Sequence, residues 1–357
     1  MSVGWQRRDR CPRRCPRQSA TPAEHGIGPP RDPLVPDRRR DPEPLFRLDT
    51  QDGAALLAKF YHRDRWDRLH REFSVLTLLG QLGLTHVPRA LLRSDAFSYG
   101  VYSFEPGSAK HAAELERRDL LAVAAFATGL HAVGPDARSR DLPPAADASF
   151  SVADQLWVID SRLRAFEAFA AGPAAYDELR DLCHGLDLRA RITDLIARAT
   201  AGLGDDDQAT VLPRSAWRLN IADLGPQNLL FTADGGLTVV DFEAAGWDDP
   251  ARLVMGFVAH ATSEDLPHGG VQTFLAAYAE ARALSSAEIA RFERVGMLYD
   301  VEWIAIYATA LTAEAVAAKR FASRAFDQHA YLAGAIAKLQ RRLARATEGA
   351  GYQFQAG

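Results

Sequence analysis

Lysine is nearly absent from this chain. Of 42 basic residues only Lys59, Lys110, Lys319 and Lys338 carry an ammonium, and arginine supplies the rest. The bias reads as a GC-rich coding sequence, and it gives weight to any lysine set in an apolar strand. Cysteine is scarce too. There are three in 357 residues, two of them Cys11 and Cys15, which excludes a disulfide framework. The pair in "CPRRC" has no second set of ligands at metal-site spacing. No apolar run reaches the roughly 20 residues of a membrane-spanning helix. No leader pattern is visible, so the expected location is cytoplasmic. A net charge of −4 exerts no global pull toward nucleic acid or a membrane surface. What is left is a globular chain, 47% hydrophobic and 25% charged, long enough for two lobes with a core each.

Glycine and apolar periodicity are missing near the start. No glycine lies between Gly28 and Gly53, while nine of the 19 prolines precede Leu45. Such a segment cannot bury enough surface to offset its ordering entropy. Residues 1–44 are therefore expected to be a disordered Arg/Pro-rich tail.

From Leu45 the pattern changes. "LFRLDTQDGAALLAKFYH" alternates around a Thr-Gln-Asp-Gly turn and reads as a β-hairpin. In "DRWDRLHREFSVLTLLGQL" residues Trp66, Leu69, Phe73, Leu76 and Leu79 share a helical face. Two further strands joined by "RSDA" complete a small α+β lobe, 45–107. The remainder, 108–348, is mainly amphipathic helix, with a tail at 349–357. Ser285 and Glu288 form a capping box, and the long apolar stretch 293–322 is expected at the centre. The one β-like interruption is a hairpin over 229–242.

That hairpin is flanked by polar residues that need a reason. "LNIADLGPQNL" (219–229) leads into it and "VVDFEAAGWDDP" (239–250) leads out. A hairpin returns to its origin, so Asp241 at its exit should lie near Asn228 at its entrance, with Asp223 in the loop before. Two carboxylates and an amide are hard oxygen donors of the kind magnesium takes alongside nucleotide phosphates. A carboxylate can also take the proton of a substrate hydroxyl. The set fits phosphoryl transfer, with Asp223 as base and Asn228 and Asp241 on metal. Turn-forming Asp and Asn are the plain alternative.

"DLGPQNLLFTADGGLTVVDFEAAGWDDPARLV" (223–254) resembles the aminoglycoside phosphotransferase and choline kinase superfamily, whose fold is protein-kinase-like. The likeness is strongest over 219–255 and extends over about 45–345. It implies a two-lobed α+β fold, with a small β-rich N-lobe and a large, mainly helical C-lobe. It implies ATP and Mg2+ as cofactors and transfer of the γ-phosphate to a hydroxyl of a small molecule. Lys59 would then hold nucleotide phosphates, Glu72 would hold Lys59, and Ser103, Phe104 and Glu105 would form the hinge beside adenine. "LHAV" around His131 resembles the family's first large helix. Three departures stand out. The loop usually begins His-x-Asp and here reads Ile221-Ala222-Asp223. Leu253 stands near the place of a further Asp. "PDRRRDPEP" stands where a glycine-rich phosphate loop belongs, so the switch near residue 45 reads as a frameshift or misassigned start. The alternative function is a catalytically impaired, kinase-like binding protein.

Other polar residues divide between site and scaffold. Asp249-Pro250 reads as a helix N-cap followed by proline at the first helical position. Asp248 and Glu243 are open to metal or substrate roles. Asp300 and Glu302, acids in an apolar helix, either face the substrate or pair with arginines. His131, His184 and His260 lack zinc spacing and read as core or surface residues.

Overall fold

The computed structural model describes residues 45–63, 67–136, 142–172, 187–322, 326–349 and 354. The expectations for residues 1–44, Trp66, His184 and most of the C-terminal tail lie outside them. The hairpin expected at the start is β1 (Leu45–Asp49) and β2 (Ala55–Phe60), in register from Leu45 opposite Lys59 to Asp49 opposite Ala55. Its turn closes through Gly53 at φ +84°, a left-handed backbone that glycine adopts without steric cost. Helix α1 (Arg68–Gln81) follows, then β3 (Ala90–Ser94) and β4 (Tyr99–Ser103). The sheet is antiparallel in the order β1-β2-β4-β3. Strand period puts Lys59 and Tyr61 on one face. Helical period puts Leu69, Glu72, Leu76 and Leu79 on one buried stripe,. Glu72 therefore enters the interior on an apolar face, opposite Lys59.

Residues 104–107 lead out of this lobe into β5 (Ser108–Ala109). Helices α2 (Arg117–Leu130), α3 (Val152–Ala170), α4 (Leu188–Ala199) and the short α5 (Asp205–Ala209) come next. The central β segment is β6 (Arg218–Asn220), β7 (Leu229–Phe231), β8 (Leu237–Val239) and β9 (Gly246–Asp248). Strand β5 pairs with β7, so the segment leaving the small lobe is hydrogen-bonded to the hairpin. The pairing of β6 with β9, which brackets that hairpin, is absent from the sequence reading. Three-residue strands are too short to show a period.

The chain ends in α6 (Pro250–Ala259), α7 (His268–Arg282), α8 (Ser286–Thr309), α9 (Ala313–Ala322) and α10 (Gln328–Glu348). The Ser285–Glu288 capping box opens α8. Helix α8 packs against α3, α4, α6 and α10, and Leu298, Ile304, Ala305 and Ala308 have no exposed surface. The apolar stretch 293–322 is central as expected, but it breaks between α8 and α9, where Leu311 and Thr312 bond back only three residues. One core joins α1, α2, α6, α7 and the hairpin; a second joins α3, α4, α8 and α10.

His131 ends α2 inside the first core, its Nδ1 2.6 Å from the Tyr278 hydroxyl of α7. Burial, with Arg282 and Arg218 nearby, lowers its pKa to about 3. The fold keeps this imidazole neutral, while an unfolded chain protonates it near pH 6.5. Its stabilisation is thus complete above that pH and is lost as pH falls toward 3. Urea unfolding at pH 7 and 5.5 should show this one group costing about 1 kcal/mol over that interval. His131→Gln should remove that increment from the pH dependence.

Candidate active site

The site is assembled where the hairpin closes. Leu229 lies opposite Val239, and the Val240 amide donates to the Asn228 carbonyl at 3.0 Å. Asn228 therefore meets the residue just before Asp241. On the entry side, the Asn220 carboxamide accepts from the Ala222 amide at 2.8 Å. Ala222 is left-handed at φ +59°, which turns the chain sharply into Asp223. The Asn228 side-chain amide then donates to the Asp223 carbonyl at 2.8 Å and to its carboxylate Oδ2 at 3.3 Å. Asp223 Oδ1 is met at 2.8 Å by His260 Nε2, from the end of α6. The Asp223 carboxylate is largely covered, with 19% exposure.

Across from this loop stands Lys59, 8% exposed. Its Nζ lies 2.9 Å from Glu72, 2.8 Å from Asp241 and 2.9 Å from Glu243. Glu72 is used on both oxygens: Oε2 also accepts from the Tyr61 hydroxyl at 2.7 Å, and Oε1 from the Phe242 amide at 3.1 Å. Burial, then the charge of Glu72, pushes the Tyr61 phenol well up, so it stays a donor. Arg68 pairs with the other oxygen of Glu243. Asp241 sits at φ +69°, a left-handed conformation that Asp tolerates better than most residues. Withdrawal from water pushes its carboxyl up, Lys59 opposes this, and Glu243 and Glu72 add to it.

The donors fit a hard cation. Glu72, Asp241 and Glu243 offer carboxylate oxygens within 4.8 Å of one another, gathered around the Lys59 ammonium. An all-oxygen set suits magnesium and not zinc.

The expected hinge lies between β4 and β5. The Ser103 hydroxyl accepts from the Arg89 amide at 2.7 Å and donates to Glu105 at 2.5 Å. The Phe104 amide donates to the Ala55 carbonyl at 3.2 Å, and its ring lies 4.6 Å from the Arg47 guanidinium. These bonds fix the backbone between the lobes.

Asp248, Asp300 and Glu302 have other company. Asp248 is fully buried and accepts from the Ser149 and Asp249 amides, the Asn220 side chain and Arg252. Burial pushes its carboxyl up to about 6, against the pull of Arg252. Glu302 meets Arg162 at 2.9 Å and Arg252 at 3.2 Å. Burial raises its pKa, but the two guanidinia prevail and hold it below the usual range. Asp300 pairs with the fully buried Arg342 at 2.7 Å. Of the two expectations for the α8 acids, these contacts correspond to pairing with arginine. Asp249 caps α6 through the Ala251 amide and also meets Arg291.

His260, read from the sequence as a core or surface residue, is buried, and its contact with Asp223 was not foreseen. Its partner is 37 positions away, and neither spacing nor periodicity marks it.

Comparison with known proteins gives the class. Residues 43–294 match the phosphotransferase enzyme family, and the chain belongs to that family. No curated protein sequence matches it. Among solved structures it is similar to the choline kinase LicA from Streptococcus pneumoniae, with 15% identity over 90% of this chain and 95% of that one and a TM-score of 0.54. It is also similar to the macrolide 2'-phosphotransferase MphH from Brachybacterium faecium, with 19% identity, 89% and 95% coverage and a TM-score of 0.55. A third likeness is to an AMP complex of the spectinomycin phosphotransferase APH(9)-Ia, with 14% identity, 82% and 90% coverage and a TM-score of 0.55. At these identities the likeness is one of fold: a small antiparallel N-lobe and a mainly helical C-lobe.

The arginine network supports a stability test. Replacing Arg252 by Met leaves Asp248 and Glu302 buried without their shared cation. Chemical denaturation should show a loss of about 3–5 kcal/mol. Adding Asp248→Asn and Glu302→Gln to Arg252→Met should recover part of it.

Proposed function

We propose that this protein transfers the γ-phosphate of magnesium-bound ATP to a hydroxyl of a small molecule. The observation that carries the reading is the Lys59 ammonium held between Glu72 of one lobe and Asp241 of the other, at the same end of the hairpin that presents Asn228, with Asp223 bonded to it. A compact ammonium in that position suits nucleotide phosphates. Asn228 and Asp241 would hold magnesium, which supplies charge neutralisation on the phosphate oxygens. Ser103, Phe104 and Glu105 would flank adenine. Support for a nucleotide comes from relatives of the same fold, crystallised with AMP, with ADP, and with AMP-PNP and Ca2+.

The chemistry is one displacement. The acceptor oxygen forms a bond to the γ-phosphorus as the bond from phosphorus to the β–γ bridging oxygen breaks. That electron pair leaves with ADP. The hydroxyl proton passes to the Asp223 carboxylate, the general base. The protein's part is placement: Lys59 orients the phosphates, and the loop sets Asp223 where the hydroxyl arrives.

The acceptor class follows the relatives only in being small and bearing a hydroxyl. Choline, ethanolamine, spectinomycin, macrolides and aminoglycosides form the panel for an ATP-consumption screen, with phosphorus NMR of the product. Asp223→Asn should cut turnover by about 10²–10⁴-fold and leave nucleotide binding nearly intact. Asp241→Asn should weaken binding of Mg·ATP itself, read by calorimetry. Equal loss of nucleotide affinity in both variants would overturn this division of roles.

A further inference from the structure

The catalytic loop contains no imidazole of its own, since position 221 is a buried isoleucine. An imidazole nevertheless reaches the loop's aspartate. His260 lies at the C-terminal end of α6, 4% exposed. Its Nε2 faces Asp223 Oδ1 at 2.8 Å, and an ionised carboxylate only accepts, so Nε2 carries a proton and donates; Nδ1 lies 3.1 Å from the Thr262 amide and 2.8 Å from the Thr262 hydroxyl. The ring stands edge-on to Trp303, 5.1 Å between centroids. On its other flank the loop passes so close that a Cβ on Gly225 would lie 2.5 Å from His260 Nδ1. Glycine at 225 is what admits the ring. The imidazole is thus fixed in plane and position by groups from three segments: the catalytic loop, the α6 exit and α8.

We propose that His260 is the positioning residue of the base Asp223. This rests on the reading of Asp223 as the base. Asn228 holds one carboxylate oxygen and His260 the other, so the carboxylate plane is set before an acceptor arrives. A carboxylate has about four lone-pair sites, so two clamps orient it without exhausting it. Nε2 already carries a proton in this arrangement. His260 therefore cannot relay the acceptor's proton onward through that contact, and its contribution is orientation of the base.

The test uses the full-length chain. Nitrogen-15 NMR of the histidine rings, assigned through His260→Gln, should show His260 as the Nε2–H tautomer. That signature should change in Asp223→Asn. Turnover is read as ADP release from Mg·ATP, with water as acceptor and with any panel compound that reacts. His260→Leu should lower kcat by about 10²-fold with KM for ATP unchanged. His260→Gln, which keeps an N–H donor, should recover most of the loss. In an Asp223→Asn background His260→Leu should cause no further loss. Circular dichroism checks that each variant is folded. An Nδ1–H tautomer indifferent to Asp223→Asn overturns the inference whatever the turnover. So does a normal kcat in His260→Leu when Asp223→Asn is inactive, and the base assignment then stands. A normal kcat in Asp223→Asn overturns the base assignment and this inference with it.

Discussion

A single buried ammonium is the point on which the two lobes agree. Lys59 belongs to the small sheet, Glu72 to the helix behind it, and Asp241 and Glu243 to the segment leaving the large lobe's hairpin. Burying charges is costly unless they are paired and hydrogen-bonded, and here Lys59 is met by three carboxylates. Among the described residues, Lys59 and Arg68 share the carboxylates of Glu72, Asp241 and Glu243.

The helical lobe solves the opposite problem. Its buried acids are matched by guanidinia, whose planar forks can serve several acceptors at once. Arg342 has no exposed surface, yet it bonds Asp300, Glu264 and the Ala259 carbonyl and lies 5.8 Å from the Trp303 ring. Through Ala259 it pins the last turn of α6, immediately before His260. Arg252 does the same at the start of that helix, through Asp248. Helix α6 is therefore fixed at both ends by ionic contacts, and the imidazole it delivers to Asp223 inherits that rigidity.

How legible this was depends on the range of each contact. The small α+β lobe and the helical remainder came from hydrophobic period, the two-lobed kinase-like fold from the family resemblance, and the β7–β8 hairpin from local turn chemistry. Lys59 stood out because a lysine in an arginine-rich chain, on an apolar strand, has few bland explanations. Asp223, Asn228 and Asp241 were readable because a hairpin converts sequence spacing into proximity. Glu72 alone resembled a solvated helix charge, and only its place on the buried stripe distinguishes it. His260 was named only as a core or surface residue, because its approach to Asp223 depends on the length of α6 and the missing Cβ of Gly225. The acids of α8 were ambiguous for a related reason. Their arginine partners lie on other helices, and no one-dimensional pattern pairs them.

The two oxygens of Glu72 do different jobs, and this has a mechanical consequence. One holds Lys59 and Tyr61 within the small lobe; the other holds the backbone amide of Phe242, next to Asp241. Helix α1 is thus tied to both lobes through one side chain. A shift of Glu72 would remove one support of the Lys59 ammonium and one support of the backbone beside Asp241 together, while Asp241 and Glu243 would still hold the ammonium.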